Sequence, residues 1–174
     1  QFSGCDYRDF RPTIQLSTAL FCGIDVFGNG PWNQPLSLFG INTGKTMPWN
    51  MQSKSFGNGG FHVIRQGSTL AVLRYPCFRF RPNQADALHV DLWVGSVNIL
   101  RDAGSFSYNS KSSYWFAGTS AHNTITFDNR DQMPRISKFL FSNWLKTDNV
   151  KKVYADGSGW KASASYTDSY GAKH

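Results

Sequence analysis

The sequence has few charged residues and few cysteines for its length of 174 residues, and both shortages exclude certain classes of protein. Charged residues make up 17% of the chain, whereas 40% of residues are hydrophobic and 16% are aromatic. A disordered chain shows the opposite balance. The three cysteines, Cys5, Cys22 and Cys77, are widely spaced and odd in number, which argues against a disulfide framework and a zinc ribbon. The composition, with 16 glycines, predicts a packed domain rich in strands and turns.

Two kinds of longer sequence signal are also missing. No apolar run approaches the roughly 20 residues that span a bilayer, so we expect no membrane span. No Gly-x-Ser-x-Gly motif is present, so a hydrolase with a serine on a strained turn is not indicated.

The formal net charge of +7 favours an anionic partner, such as an acidic glycan, a nucleic acid or an acidic membrane surface. The longest run of like charges is the pair Lys151-Lys152. Nucleic-acid binders commonly carry longer basic stretches. We therefore expect no nucleic-acid partner.

Helical and strand-like patterns divide the chain near Gly60. Residues 12–22 predict a short helix because Pro12 lies in the first turn and Gly23 follows the end. Residues 24–60 have no periodicity and predict a long irregular connection. Apolar residues then alternate with polar ones, as is typical of strands. The predicted strands are 61–66, 69–75, 88–94, 97–101, 121–127, 137–142, 151–155 and 159–166.

This pattern predicts an all-β (mainly β) fold, an antiparallel β-sandwich with a short N-terminal helix. In residues 88–94, alternation places Leu88 and Val90 on a core face, with His89 and Asp91 on a solvent face. The last predicted strand has no further strand to cover its edge. We therefore expect the sandwich to be cut from a larger protein.

Two arginines in residues 74–81 are candidates for binding an anion. If this segment is a strand, Arg79 and Arg81 share one face, while Phe78 and Phe80 anchor the other. Paired guanidinium groups match the geometry of carboxylate or sulfate. The alternative is an ordinary solvated strand face.

Three stretches carry the strongest signal, and their order and spacing match one family. They are RPNQADALHVDLW (81–93), LRDAGSFSY (100–108) and AHNTITFD (121–128). Together they resemble the heparinase II/III-like family, whose members carry a His-x-His-x-Asp entry to a strand, then Asp-x-Gly with a nearby Tyr, then Ala-His-Asn-Thr. Residues 60–65 and 131–135 extend the resemblance.

The resemblance implies an architecture and a reaction. Family lyases pair an N-terminal α/α toroid with a C-terminal β-sandwich, and the cleft between them binds an acidic polysaccharide that is cleaved by β-elimination. Residues 58–174 would be the sandwich domain, and residues 1–57 would be the helix and irregular segment leading from a toroid. These relatives are bacterial, which favours the periplasm or cell envelope.

The resemblance also assigns site residues by position. The family's catalytic His falls on Pro82, and its zinc ligands fall on Gln84, Asp102 and His122. Proline cannot exchange protons, and an amide oxygen is a poor zinc ligand beside imidazole and carboxylate. We therefore expect no catalytic residue in this chain and either no cofactor or weakly bound zinc. An alternative to metal is that Asp102 and His122 hydrogen-bond to each other and to Gln84.

Two functions follow from these departures. The parent protein is either a polysaccharide lyase whose catalytic groups lie mostly in the toroid, or a non-catalytic glycan-binding protein of envelope or exopolysaccharide assembly. The fragment alone is expected to be inactive.

Overall fold

The computed structural model describes residues 4–6, 8–47 and 51–174. The chain divides into two compact units, one ending at Met51 and the other running from Gln52 to His174. The described residues form eleven strands, three α-helices and two 3-10 turns. No described helix is long and apolar enough to cross a bilayer.

The first unit is built around one helix and a buried glutamine. Its elements are α1 (Arg11–Cys22), β1 (Ile24–Asp25), a 3-10 turn (Pro31–Asn33), α2 (Gln34–Leu38) and β2 (Lys45–Thr46), with β1 and β2 parallel. The predicted helix is confirmed. Helix α1 has proline in its first turn and is capped after Cys22 by Gly23, whose backbone N–H donates a hydrogen bond to the Ala19 carbonyl. The buried Gln15 side chain donates to Asp25 Oδ1 at 2.6 Å and accepts from the Val26 amide at 3.1 Å.

The second unit contains most of the strands. They are β3 (Lys54–Phe56), β4 (Phe61–Gln66), β5 (Thr69–Arg74), β6 (Val90–Val94), β7 (Val97–Leu100), β8 (Arg135–Ser137), β9 (Leu140–Phe141), β10 (Thr147–Asp156) and β11 (Gly159–Tyr166). A short helix α3 (Ser113–Phe116) and a 3-10 turn (Thr119–Ala121) precede β8. The predicted irregular connection over 24–60 is therefore wrong in part, because it contains α2, the β1–β2 pair and β3.

The strands of the second unit are antiparallel, which confirms the predicted fold class. Strands β3 to β7 form a five-stranded meander in chain order. The β10–β11 hairpin contacts β3 and β4, and the amide of Val153 donates to Ser55 Oγ at 2.8 Å. This hairpin is a separate two-stranded sheet, since neither of its strands pairs with the meander. The core beside it consists of Ala85, Ala87, Ala117, Met133, Phe141, Leu145 and Tyr166.

Two predicted strands are wrong, and long-range contacts explain the first. Residues 121–127 form the end of a 3-10 turn and a segment with no strand. This segment lies beside residues 87–90, but several of its bonds go through side chains: Thr124 Oγ1 donates to the Ala87 carbonyl at 2.6 Å. The predicted strand 137–142 is instead split into the β8–β9 hairpin by a turn at Lys138 and Phe139.

Candidate functional site

Three side chains from separate segments meet in a histidine–aspartate cluster, formed by His89, Asp102 and His122. His89 precedes β6, Asp102 follows β7, and His122 follows the 3-10 turn. His122 Nδ1 lies 2.8 Å from Asp102 Oδ2, and His89 Nε2 lies 3.6 Å from the same oxygen. The two imidazole rings are perpendicular, with centroids 5.8 Å apart. Candidate ligand atoms of all three residues lie within 4.8 Å of one another.

A backbone hydrogen bond fixes the tautomer of His89. The amide N–H of Asn123 donates to His89 Nδ1 at 3.1 Å, so this nitrogen presents its lone pair. In a neutral imidazole the proton then sits on the other nitrogen. His89 Nε2 therefore carries the proton, yet it lies 3.6 Å from Asp102 Oδ2 and has no hydrogen-bond partner among the described residues.

Hydrogen bonding keeps Asp102 ionised. Burial by itself raises the pKa of Asp102, but bonds from the Gly104 amide (2.6 Å) and the His122 ring outweigh burial and lower this pKa. Burial lowers the pKa of His89, with the Asp102 charge opposing it. The cluster is thus a neutral His89 beside a charged carboxylate.

The cluster has the donor types of a zinc site, but not all of its atoms are ready to bind. Two imidazoles and a carboxylate suit Zn²⁺. His89 Nε2 carries a proton and so has no free lone pair for a metal. If this proton moved to Nδ1, the hydrogen bond from the Asn123 amide to Nδ1 would be lost. His122 Nε2 is buried and has no hydrogen-bond partner among the described residues. As arranged, His122 Nε2 and the Asp102 carboxylate are the ligand atoms of this cluster that present lone pairs.

Gln84, the third predicted ligand, lies in a different contact. Its Nε2 donates to Ser105 Oγ at 3.4 Å, and within the described ranges no bond joins it to Asp102 or His122. The predicted hydrogen bond between Asp102 and His122 is present, but its predicted extension to Gln84 is not.

A basic groove runs along the segment that contains Gln84. It consists of two cavities of ≈ 380 and ≈ 330 Å³ that share Arg81, Asn83 and Gln84. Arg74 and Arg79 line the first cavity and Lys138 lines the second, and none of the described acidic side chains lines either cavity. Such a surface attracts anions.

Arg79 and Arg81 lie in this groove for a reason other than strand alternation. Residues 75–81 are not a regular strand, and Phe80, predicted to anchor the opposite face, is 84% exposed. Both arginines nevertheless line the same cavity, and Arg79 Nη2 donates to Asn58 Oδ1 at 3.4 Å. The bend of the chain brings them together.

Arg74 links the groove to the interior through a buried carboxylate. Its Nη1 pairs with Asp86 Oδ2, and Asp86 is buried. Burial raises the pKa of Asp86, and the charge of Arg74 opposes that rise. Because Arg74 is paired, Arg79 and Arg81 are the guanidinium groups of this cavity that are available to a ligand.

Sequence reasoning missed His89 and Lys138. Alternation placed His89 on a solvent face, yet it is buried, because Leu88 has a positive φ of 58° and breaks the period before β6 begins. The chain has only four histidines, and this scarcity was the one feature of the sequence that could have drawn attention to His89 as a site residue. Lys138 carried no motif, since its place in the groove depends on the β8–β9 turn.

Comparisons with known proteins agree on one family. A family model described as "Heparinase II/III-like, C-terminal" matches residues 50–174. A heparin-sulfate lyase of Pedobacter heparinus is 29% identical over 130 residues, which are 69% of this chain and 19% of that protein. The chain therefore spans about a fifth of the length of this curated relative.

Two solved structures share the fold. A heparinase III with methylated lysines is 20% identical, with a TM-score of 0.53, covering 95% of this chain and 26% of its own. A mutant of the heparan sulfate lyase HepC from Pedobacter heparinus is 22% identical, with a TM-score of 0.51, covering 91% and 23%.

Proposed function

The chain belongs to the heparinase II/III-like family, as its motifs predict, and on that premise we propose that it forms the glycan-binding side of a polysaccharide lyase. Its ligand is an acidic, uronate-containing polysaccharide bound in the basic groove. One observation carries the proposal: the groove presents Arg79, Arg81 and Lys138, and no acidic side chain of the residues that the structure describes lines it.

The groove residues supply binding and charge neutralisation. Guanidinium groups bind carboxylate or sulfate through paired N–H donors, while Asn83 and Gln84 offer amides to sugar hydroxyls. In β-elimination, neutralising the uronate carboxylate makes the C5 proton easier to remove, because negative charge develops there in the transition state. The chain's residues would thus prepare the substrate for proton removal.

The proton-transfer groups are proposed to come from another domain. Pro82 stands where the family's catalytic histidine falls, and this side chain is buried and has no exchangeable proton. By resemblance to the family, a tyrosine and an asparagine or histidine on an α/α toroid complete the site. Such a protein acts in the bacterial periplasm or cell envelope.

The same proline supports a second candidate function. A longer protein whose toroid also lacks these groups would bind the polysaccharide without cleaving it, in envelope or exopolysaccharide assembly. Incubating the full-length protein with heparan sulfate, heparin and alginate separates the two. Ultraviolet absorbance from an unsaturated product identifies the lyase, and binding without that product identifies the glycan-binding protein. Absence of binding to every acidic polymer refutes both.

A pair of arginine substitutions tests the groove itself. Arg79→Ala with Arg81→Ala is expected to weaken binding to heparin or alginate several-fold at low salt, and the difference should shrink as salt screens the charges. Lys151→Ala with Lys152→Ala removes the same charge from β10, outside the groove, and should bind as the wild type does. Equal affinity of both double variants would assign the arginines to an ordinary solvated surface.

We also propose that the histidine–aspartate cluster holds zinc weakly or not at all. A bound zinc ion would act as a Lewis acid toward a substrate oxygen. The variant Gln84→His adds an imidazole at the family's ligand position and should raise zinc affinity strongly if that position converges with Asp102 and His122. Isothermal titration of both proteins with zinc measures this. Equal, negligible heats would show that the positional transfer of the site is wrong.

A further inference from the structure

The second cavity of the basic groove is lined by aromatic side chains in addition to its cations. It measures ≈ 330 Å³ and lies between the loop after β7 and the β8–β9 turn. This volume is at the small end of ligand pockets. Tyr108, Phe116 and Phe139 line it together with Arg81 and Lys138.

Two of these three aromatic rings are exposed although they contact each other. Tyr108 and Phe139 meet edge to face, with centroids 5.5 Å apart, yet they are 60% and 39% exposed. Phe116 is half-buried and stacks on Phe106, with centroids 5.8 Å apart. Exposed aromatic surface beside a few polar groups is typical of a binding site. A planar apolar face of this kind suits the C–H face of a pyranose ring.

The turn that carries Lys138 is held by an arginine. Arg135 donates to the Lys138 carbonyl at 3.0 Å and to the Tyr114 carbonyl, and its guanidinium lies 3.7 Å from the centre of the Tyr114 ring. These contacts fix the turn between β8 and β9. In the part of the chain that the structure describes, Lys138 has no acidic partner. Its ammonium group lies 5.4 Å from the centre of the Phe139 ring and lines the cavity without a carboxylate to neutralise it.

We propose that this cavity, the aromatic subsite, holds one acidic sugar ring of the polysaccharide. The apolar face of the ring lies against Tyr108 and Phe139, and its sulfate or carboxylate group lies between Lys138 and Arg81. Ser105 and Asn83 are among the polar side chains that line the cavity and could bond its hydroxyls. The inference rests on the proposed function and adds the position at which the ring and its anionic group are recognised.

Separate substitutions test the charge and the ring. Lys138→Ala and Tyr108→Leu are each expected to lower the affinity of the full-length protein for heparin by about tenfold. Only Lys138→Ala should also reduce the dependence of affinity on salt, because stacking is not screened. Tyr154→Leu, at an exposed position on β10 outside the groove, is the matched loss of a ring, and Lys151→Ala is the matched loss of one charge. Both should bind as the wild type does.

The choice of polymer separates the possible outcomes. Heparin carries sulfate, alginate carries carboxylate alone, and dextran is neutral and should not bind. A loss with both acidic polymers shows that the subsite accepts either anion, and a loss with heparin alone assigns it to sulfate. If Lys138→Ala and Tyr108→Leu bind like the wild type while the Arg79 and Arg81 double variant does not, the subsite is refuted and the groove stands. If the wild type binds no acidic polymer, the proposed function fails with it.

Discussion

Replacing Gln132 with leucine should destabilise the second unit more than any surface change. Gln132 is 2% exposed, and its side chain accepts from the Ala87 amide and donates to the Ala87 carbonyl, both at 3.0 Å. It also donates to Thr124 Oγ1 at 3.3 Å. The Gln132 side chain therefore makes the two hydrogen bonds to the Ala87 backbone that a paired strand would make. It also links the segment before His89 to the segment after His122.

The structure indicates which groups lose their partners. The Ala87 carbonyl keeps its bond from Thr124 Oγ1 at 2.6 Å, so leucine leaves it satisfied. The buried Ala87 amide has no other acceptor among the described residues. The orphaned Ala87 donor costs roughly 1–3 kcal/mol, and the loss of the two other Gln132 hydrogen bonds, one of them to a carbonyl that keeps a partner, adds about 1 kcal/mol in total. We therefore expect Gln132→Leu to lower the free energy of unfolding by about 2–4 kcal/mol.

Urea unfolding followed by tryptophan fluorescence measures this change, since the chain has six tryptophans. The midpoint should fall while the slope with urea stays the same. Gln66→Leu, at the exposed end of β4, is the matched control and should stay within about 0.5 kcal/mol of the wild type. A loss below about 1 kcal/mol for Gln132→Leu would contradict the argument that the Ala87 amide depends on this side chain.

Three further predictions concern the second unit. Burial lowers the pKa of His62 from 6.5, so this imidazole binds a proton more readily in the unfolded chain than in the folded one. Stability should therefore fall as the pH drops from about 7 to about 5, and His62→Gln should flatten that fall in urea titrations; an unchanged slope would contradict it. Gly60 has a φ of 71°, and a Cβ there would lie 2.4 Å from the Tyr75 carbonyl oxygen. Gly60→Ala should thus cost more than about 1 kcal/mol, whereas Gly57→Ala, in open space, should be nearly neutral. Met133 is fully buried in the core, so Met133→Ala should lower the thermal midpoint through a loss of about 2–5 kcal/mol, and a loss under 1 kcal/mol would mean that the core closes around the gap.

The sequence by itself determined the family, the fold class and the elements with strong local patterns. Strands β4 and β11 begin and end where the sequence predicts them, because turn residues such as Gly67 and Gly157 bound them. Helix α1 follows equally local signals, a proline at its start and a glycine at its end. The motifs around Asp102 and His122 likewise identified two residues that do meet.

The tertiary structure decided what depends on distant parts of the chain. The Gln132 side chain hydrogen-bonds to Ala87, 45 residues away in sequence. The Ala87 backbone therefore bonds to side chains, and residues 121–127 do not form the predicted strand. Lys138 reaches the groove through a two-residue turn whose position follows from the packing of β8 and β9. Local patterns report only on neighbours within a few residues, whereas the groove is a product of loops that the fold brings together, so its full set of cations could not be read before the chain was folded.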